Sequence, residues 1–173
     1  MVDEFSAFAR MPQPDMAPVD LRTLVEGQMT LFEDDNIKLS LVDDAPTADA
    51  AAYIVLGDAG LLRQAVSNLI QNAVDSLRGS PTKTPRVELS IGKKAGLVTL
   101  KVRDNGPGYP EMDRKKLLEP YVTHRAKGTG LGLAIVSKIV QDHAGTLELV
   151  NADAGGACAI IHLGFHEDMG ADQ

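Results

Sequence analysis

Two glycine-rich stretches constrain this chain more than any other feature: residues 104–108 read DNGPG and residues 128–133 read GTGLGL. Glycine lets a backbone N–H approach a ligand where a Cβ would collide, and it reaches positive φ without strain. The stretches lie about 20 residues apart, behind a helical segment at 61–77 that carries Asn68 and Asn72 one turn apart. A lone DxGxG is weak, because Asp-Asn-Gly is also a common turn and the turn alone explains it as readily. Two such loops behind paired helix amides are hard to obtain from packing alone. Together they point to a clamp around a nucleotide.

Hydrophobic spacing places these motifs. Val2, Phe5, Phe8 and Ala9 recur at helical spacing, then Pro12, Pro14 and Pro18 break the pattern, which predicts the end of a helix followed by a hinge over 11–17. A second helix is expected from Asp20 to about Phe32, then strands over 37–42 and 53–56. Asp58 is placed to cap a long helix that ends before Gly79 and Pro81. At about 100° per residue, Leu62, Ala65, Val66, Leu69, Ala73 and Leu77 gather on one face, while Asn68, Asn72 and Asp75 share a different one. Plain solvent exposure would account for a polar face, but Lys and Glu are more usual there than Gln64, Asn68, Gln71 and Asn72. Strands at 87–91 and 97–103 follow, the second delivering Asp104 into the first loop. The segment 110–127 is less periodic and long enough to serve as a lid. A helix from about Gly130 to His143 and strands at 146–150 and 158–163 complete the chain. Mixed helices and hairpins predict an α+β fold, a two-layer α/β sandwich with helices on one face of a mixed, largely antiparallel sheet.

The chemistry these residues offer is specific. A carboxylate at a strand end can accept the N6 donor that sets adenine apart from other flat rings, which makes Asp104 the candidate reader, with Gly106 and Gly108 leaving room for ring and ribose. GTGLGL sits where a helix begins, and helix N-termini present unpaired N–H groups and a dipole suited to anions. It does not match the dinucleotide fingerprint, and no GxxxxGK[ST] phosphate loop occurs. Magnesium takes oxygen ligands and is usually shared with phosphates, a role open to the side-chain oxygen of Asn72 with Asn68 nearby. Each asparagine alone is also compatible with a surface amide. His124, His143, His162 and His166 show no metal spacing, and no GxSxG is present; His162, in an apolar strand, reads as structural.

Charge supports the same ligand class. A net charge of −7 argues against a sequence-independent nucleic-acid binder. Between Tyr109 and Gly128, however, five basic residues (Arg114, Lys115, Lys116, Arg125, Lys127) outnumber three acids (Glu111, Asp113, Glu119), a local excess suited to polyphosphate, although Arg114–Lys116 alone fit a solvated helix face. No apolar run approaches the roughly 18 residues of a membrane span, and the acidic N-terminus is no secretory signal. The single cysteine, Cys158, in an apolar run, reads as a buried inert thiol in a reducing, cytoplasmic setting.

On these residues the chain resembles the catalytic and ATP-binding domain of sensor histidine kinases, within the class that includes gyrase B, Hsp90 and MutL ATPases. NLIQNAVDSL from Asn68 resembles the family's N box, DNGPG its G1 box, LLEPYVTHR its F box and GTGLGL its G2 box; EPYVTHRAKGTGLGLAIV is most similar to nitrogen-regulation kinases of the NtrY and NtrB kind. The resemblance covers about residues 20–165. It implies a Bergerat-type fold and an ATP or ADP cleft closed by a lid over 109–127. Asp104 would bind adenine, Asn72 the Mg2+ with Asn68 assisting, and the lid's Tyr121, Thr123, Arg125 and Lys127 would approach the nucleotide. Asp75, Gly106 and Gly108 would line the cleft, and the backbone of Gly128, Thr129, Gly130, Leu131, Gly132 and Leu133 would meet the phosphates. Asn68, Asn72, Arg125 and Lys127 would carry the catalytic role. The γ-phosphate would pass to a histidine on separate dimerisation and phosphoacceptor helices, and then to a response regulator.

Two departures shape the expected activity. The ATPase relatives resemble a pattern with Glu four residues before the magnesium asparagine; here Asn68 stands there, and a neutral amide cannot act as a general base near pH 7. Slow hydrolysis and transfer to a better-placed nucleophile follow. No HExxN or HExxT is present, so residues 1–17 are expected to be a dimerisation-domain remnant and hinge, 18–166 the ATP-binding domain and 167–173 a tail, part of a larger kinase that does not autophosphorylate in this piece alone. An isolated domain of this kind is expected to be a monomer, outside the membrane even if its parent is anchored there. The competing readings are a self-sufficient ATPase and a non-catalytic nucleotide-sensing regulator.

Overall fold

The computed structural model describes residues 9–33, 36–44, 52–120 and 131–167. Helix α1 (Leu21–Met29) starts at Asp20, whose Oδ1 accepts the N–H groups of Arg22 at 3.1 Å and Thr23 at 3.3 Å, and it continues through a 3-10 turn at Thr30–Phe32. Helix α2 (Ala59–Arg78) buries Leu61, Leu62, Ala65, Val66, Leu69, Ile70, Ala73, Val74 and Leu77, the face expected from spacing together with its flanks. Helix α3 (Arg114–Leu117) is a single turn inside the expected lid segment, and α4 (Gly132–Asp142) follows the second glycine loop.

The strands form two sheets. β1 (Ala17–Asp20) pairs antiparallel with β3 (Ile54–Gly57) in a small ribbon. β2 (Lys38–Asp43), β4 (Arg86–Lys94), β5 (Leu97–Asp104), β6 (Thr146–Asn151) and β7 (Ala157–Gly164) form a five-stranded sheet in the order β2-β4-β5-β7-β6. Only the β2–β4 pair is parallel; the others are antiparallel. A bridge between Val55 and Phe165 ties the ribbon to the end of β7.

Alternation assigns the two faces of the sheet. Val87, Leu89 and Ile91, with Val98, Leu100 and Val102, and Ala159, Ile161 and Leu163, are buried in one core cluster with α1, α2 and α4. Their neighbours Glu88, Lys101, Arg103 and His162 lie on the opposite face. The expected sandwich, helices on one side of a mixed sheet, is the observed architecture. The strand at Ala17–Asp20 replaces part of the expected hinge: Pro18 lacks an N–H, which a two-stranded ribbon tolerates because each strand is an edge.

Asp58 joins three parts of the fold. Its Oδ1 caps α2 through Leu61 N at 3.0 Å, and its Oδ2 accepts the N–H of Asp15 at 2.9 Å. The imidazole Nε2 of buried His143, at the end of α4, accepts the N–H of Asp58 at 3.0 Å. The N–H bonds from Asp15 and then Leu61 hold the Asp58 carboxyl below the ordinary carboxylate range. A carboxyl depressed in the folded state adds stability above its unfolded pKa and loses it as pH falls through the folded value. Asp58→Ala should therefore cost about 1 kcal/mol near neutral pH, and in urea titrations the gap to wild type should close below roughly pH 4. A gap unchanged by acid would show that the charge is not its source.

Candidate nucleotide site

β5 carries Asp104 to the end of the helix-covered face, where it is 4% exposed. Its Oδ1 accepts the N–H of Gly106 at 2.9 Å, closing the turn, and that of Ala157 on β7 at 3.4 Å. Side-chain amides hold the rest of the loop. Asn105 Oδ1 accepts Arg86 N at 2.8 Å and its Nδ2 donates to Thr84 O at 2.9 Å, so one carboxamide binds the loop to the start of β4. A Cβ on Gly106 would stand 3.0 Å from Ser76 Oγ, which puts the loop against the last turns of α2. The Asp-Asn-Gly turn is thus present, and it holds a buried carboxylate beside the asparagine-bearing helix.

The register of α2 against α4 locates the third part. The two helices pack together, and the end of α4 at His143 meets the start of α2 at Asp58, so they run antiparallel. Stepping back along α4 from His143 to Gly132 covers about 16 Å at the helical rise, and the same distance from Asp58 along α2 reaches the turn of Leu69–Asn72. The positive end of α4 therefore lies level with the turns of α2 that carry Asn68 and Asn72, both half-buried. Leu131, at the cap position of α4, supplies no side-chain cap of its own, and no acid lies in the first turn. Ser76 follows Asn72 by one further turn. Carboxylate, amide oxygens and helix N-terminus thus converge within about two turns of α2.

Asn68, Asn72, Asp104, Gly106 and Gly108 are brought to this region, together with Leu131, Gly132 and Leu133 at the start of α4. Asp75 is exposed, with its carboxylate accepting Gln71 Nε2 at 2.8 Å, and Ser76 rather than Asp75 abuts the first glycine loop. Tyr121, Thr123, Arg125, Lys127, Gly128, Thr129 and Gly130 lie outside the described residues. Arg114 Nη1 donates to Pro110 O at 2.8 Å and Met112 O at 3.1 Å, folding its guanidinium onto its own loop. Three positions escape a reading of motifs. Ser76 is one; Asn151, which binds the Tyr109 peptide, and Gly156, pressed against the Asp104 peptide, are the others. The signal available for them is slight, a Gly-Gly pair in a short polar connection.

Among the described residues no three His, Cys, Asp or Glu side chains gather to hold a metal. The carboxamide oxygens of Asn68 and Asn72 are hard donors that fit a magnesium ion held chiefly by phosphates and water. His162 Nδ1 pairs with Thr99 Oγ1 at 2.9 Å in the sheet, as a structural histidine would. Burial raises the Cys158 thiol above its ordinary value, which keeps it protonated and inert.

Residues 57–167 match the family described as histidine kinase-, DNA gyrase B- and HSP90-like ATPase. This chain belongs to that family. The nitrogen regulation protein NtrY of Azorhizobium caulinodans is 37% identical over 158 residues, 90% of this chain but 20% of that protein. This chain therefore spans about a fifth of the length of that relative. Among solved structures, the nucleotide-free catalytic domain of the histidine kinase ThkA is 25% identical with a TM-score of 0.73, covering 87% of this chain and 96% of that one. Full-length ShkA in complex with AMPPNP is 27% identical with a TM-score of 0.77, covering 94% of this chain and 34% of that one. Family membership and fold agree: this is an ATP-binding domain of the kind found as the catalytic domain of sensor histidine kinases. No helix among the described residues is long and apolar enough to cross a membrane.

Proposed function

We propose that the convergence of Asp104, the Asn68–Asn72 face and the N-terminus of α4 holds Mg2+-ATP, and that the chain passes the γ-phosphate to a histidine on dimerisation and phosphoacceptor helices of its parent kinase. Asp104 accepts the adenine N6 donor, and Gly106 and Gly108 leave space beside it. The first-turn N–H groups of α4, continuing from GTGLGL, receive phosphate oxygens. Asn72, assisted by Asn68, would hold the magnesium, which neutralises phosphate charge. Thr123, Arg125 and Lys127 close over the phosphates and Tyr121 over the nucleotide; Asp75 stays at the rim. Catalysis then rests on positioning and charge neutralisation. Because Asn68 supplies a neutral amide where a general base would be needed, water is poorly activated and a histidine acceptor is favoured. The NtrY likeness supports a nitrogen-regulation parent that hands the phosphate on to a response regulator, with this domain in the cytoplasm.

The observation that supports this reading is the placement of a buried carboxylate, two half-buried amides and a helix N-terminus along about two turns of one helix. The test supplies the chain with separate phosphoacceptor helices and ATP labelled on its γ-phosphate. Label should move to the helices and not to this chain, and Asn72→Ala should slow transfer about 100-fold. Label on the chain incubated alone would contradict the reading. Rapid phosphate release without any acceptor would favour a self-sufficient ATPase instead.

A further inference from the structure

We propose that Asn151, in no nucleotide motif, is a positioning residue that fixes the chain at Tyr109 and so holds the first glycine loop, with Asp104, in its binding shape. The inference rests on the nucleotide reading of the site above. Asn151 is the last residue of β6, and its carboxamide is turned onto the backbone of one residue, Tyr109, just past the first glycine loop. Its Oδ1 accepts Tyr109 N at 2.7 Å and its Nδ2 donates to Tyr109 O at 3.1 Å. One side chain thus satisfies both backbone groups of Tyr109, as a neighbouring strand would. Gly108, at φ 84°, makes this approach possible: a Cβ there would lie 2.9 Å from Asn151 Oδ1.

The same hairpin holds the other end of the loop. Gly156 lies against the Asp104 peptide, and Ala157 N donates to Asp104 Oδ1 at 3.4 Å. Residues 104–109 are therefore pinned at both ends by the β6–β7 connection, and through Asn105 to the start of β4. The carboxylate proposed to read adenine is thereby held in one place before any nucleotide arrives.

Only a carboxamide serves both halves of the contact. Asp keeps the acceptor for Tyr109 N but sets a carboxylate against Tyr109 O, and Leu keeps neither bond. In the unmodified, nucleotide-free chain, the Tyr109 amide should exchange with solvent deuterium slowly, like a strand amide; exchange at the rate of an open loop would overturn the assignment without any variant. Asn151→Leu should abolish that protection, lower the melting temperature by a few degrees for two lost hydrogen bonds, and weaken an ATP analogue about tenfold because binding must then order the loop, with Asn151→Asp between the two. The leucine variant should also lose part of the preference for adenosine over inosine triphosphate, which a purely structural residue would leave intact. Wild-type affinity and base preference in Asn151→Leu would sink the positioning role while the nucleotide reading stood. An unmodified chain that bound no nucleotide would instead remove the nucleotide reading, with Tyr109 exchange still reporting the pin.

Discussion

Asp104→Asn is expected to weaken ATP binding about 100-fold while leaving the melting temperature almost unchanged. The substitution is nearly isosteric, and an amide oxygen at the Oδ1 position still accepts the N–H groups of Gly106 and Ala157 that close the loop. What changes is the face that would meet the base in the proposed reading: a hydrogen bond from adenine N6 to a buried carboxylate would contribute roughly 1.5–3 kcal/mol. With Oδ1 retained by the loop, the new NH2 group faces the N6 donor, so a repulsive contact adds to the lost attraction. Inosine triphosphate carries an oxygen in place of N6, so the variant should also lose its preference for ATP over that analogue. Calorimetry with both nucleotides separates the cases. Unchanged affinity and preference would remove Asp104 from base recognition, whereas equal losses for both nucleotides would point to a collapsed loop.

The second large effect is expected at Gly156. Its φ is 96°, and an added Cβ would fall inside the van der Waals envelope of the Asp104 carbonyl oxygen, with Asn105 Cα only 3.0 Å away. Neither neighbour is a flexible side-chain tip; both are the backbone of the nucleotide loop. Gly155 is the natural control, because its φ of 93° is equally unfavourable to a side chain but nothing lies within 4 Å of its added Cβ. Gly155→Ala should cost only conformational strain, about 1 kcal/mol. Gly156→Ala adds overpacking and should cost roughly 3–4 kcal/mol in total, near 10 °C in melting temperature for a domain of this size. Displacing the Asp104 peptide should also lower ATP affinity well beyond anything seen for Gly155→Ala. Thermal melts and calorimetry on the two variants check both halves, and equal behaviour of the pair would refute the collision.

What the sequence discloses and what it withholds follow from the range of the interactions. α2 is legible because its apolar positions repeat at the helical period over five turns and Asp58 marks its start. The first glycine loop is legible because Asp104, Gly106 and Gly108 act through their own backbone and carboxylate, within a few residues of one another. Asn151, Gly156 and Ser76 work by touching residues far away in the chain, and an exposed asparagine at a strand end carries no local mark of the peptide it binds. The parallel pairing of β2 with β4 is equally hidden, since alternation looks the same in either direction. The run of prolines before Asp20 suggests a hinge, and only the partner strand β3 explains why Ala17–Asp20 is extended.

That parallel pair carries a consequence for how the domain is made. Two parallel strands cannot be closed by a tight turn, and the crossover between β2 and β4 contains β3 and all of α2. During synthesis α2 emerges before the strands on which it rests. Its apolar side chains, Leu62, Val66, Leu69, Ala73 and Leu77 among them, are fully covered only once β4, β5 and α4 have left the ribosome. A nascent chain halted between Arg78 and Arg86 thus carries greasy helix surface that the finished domain hides.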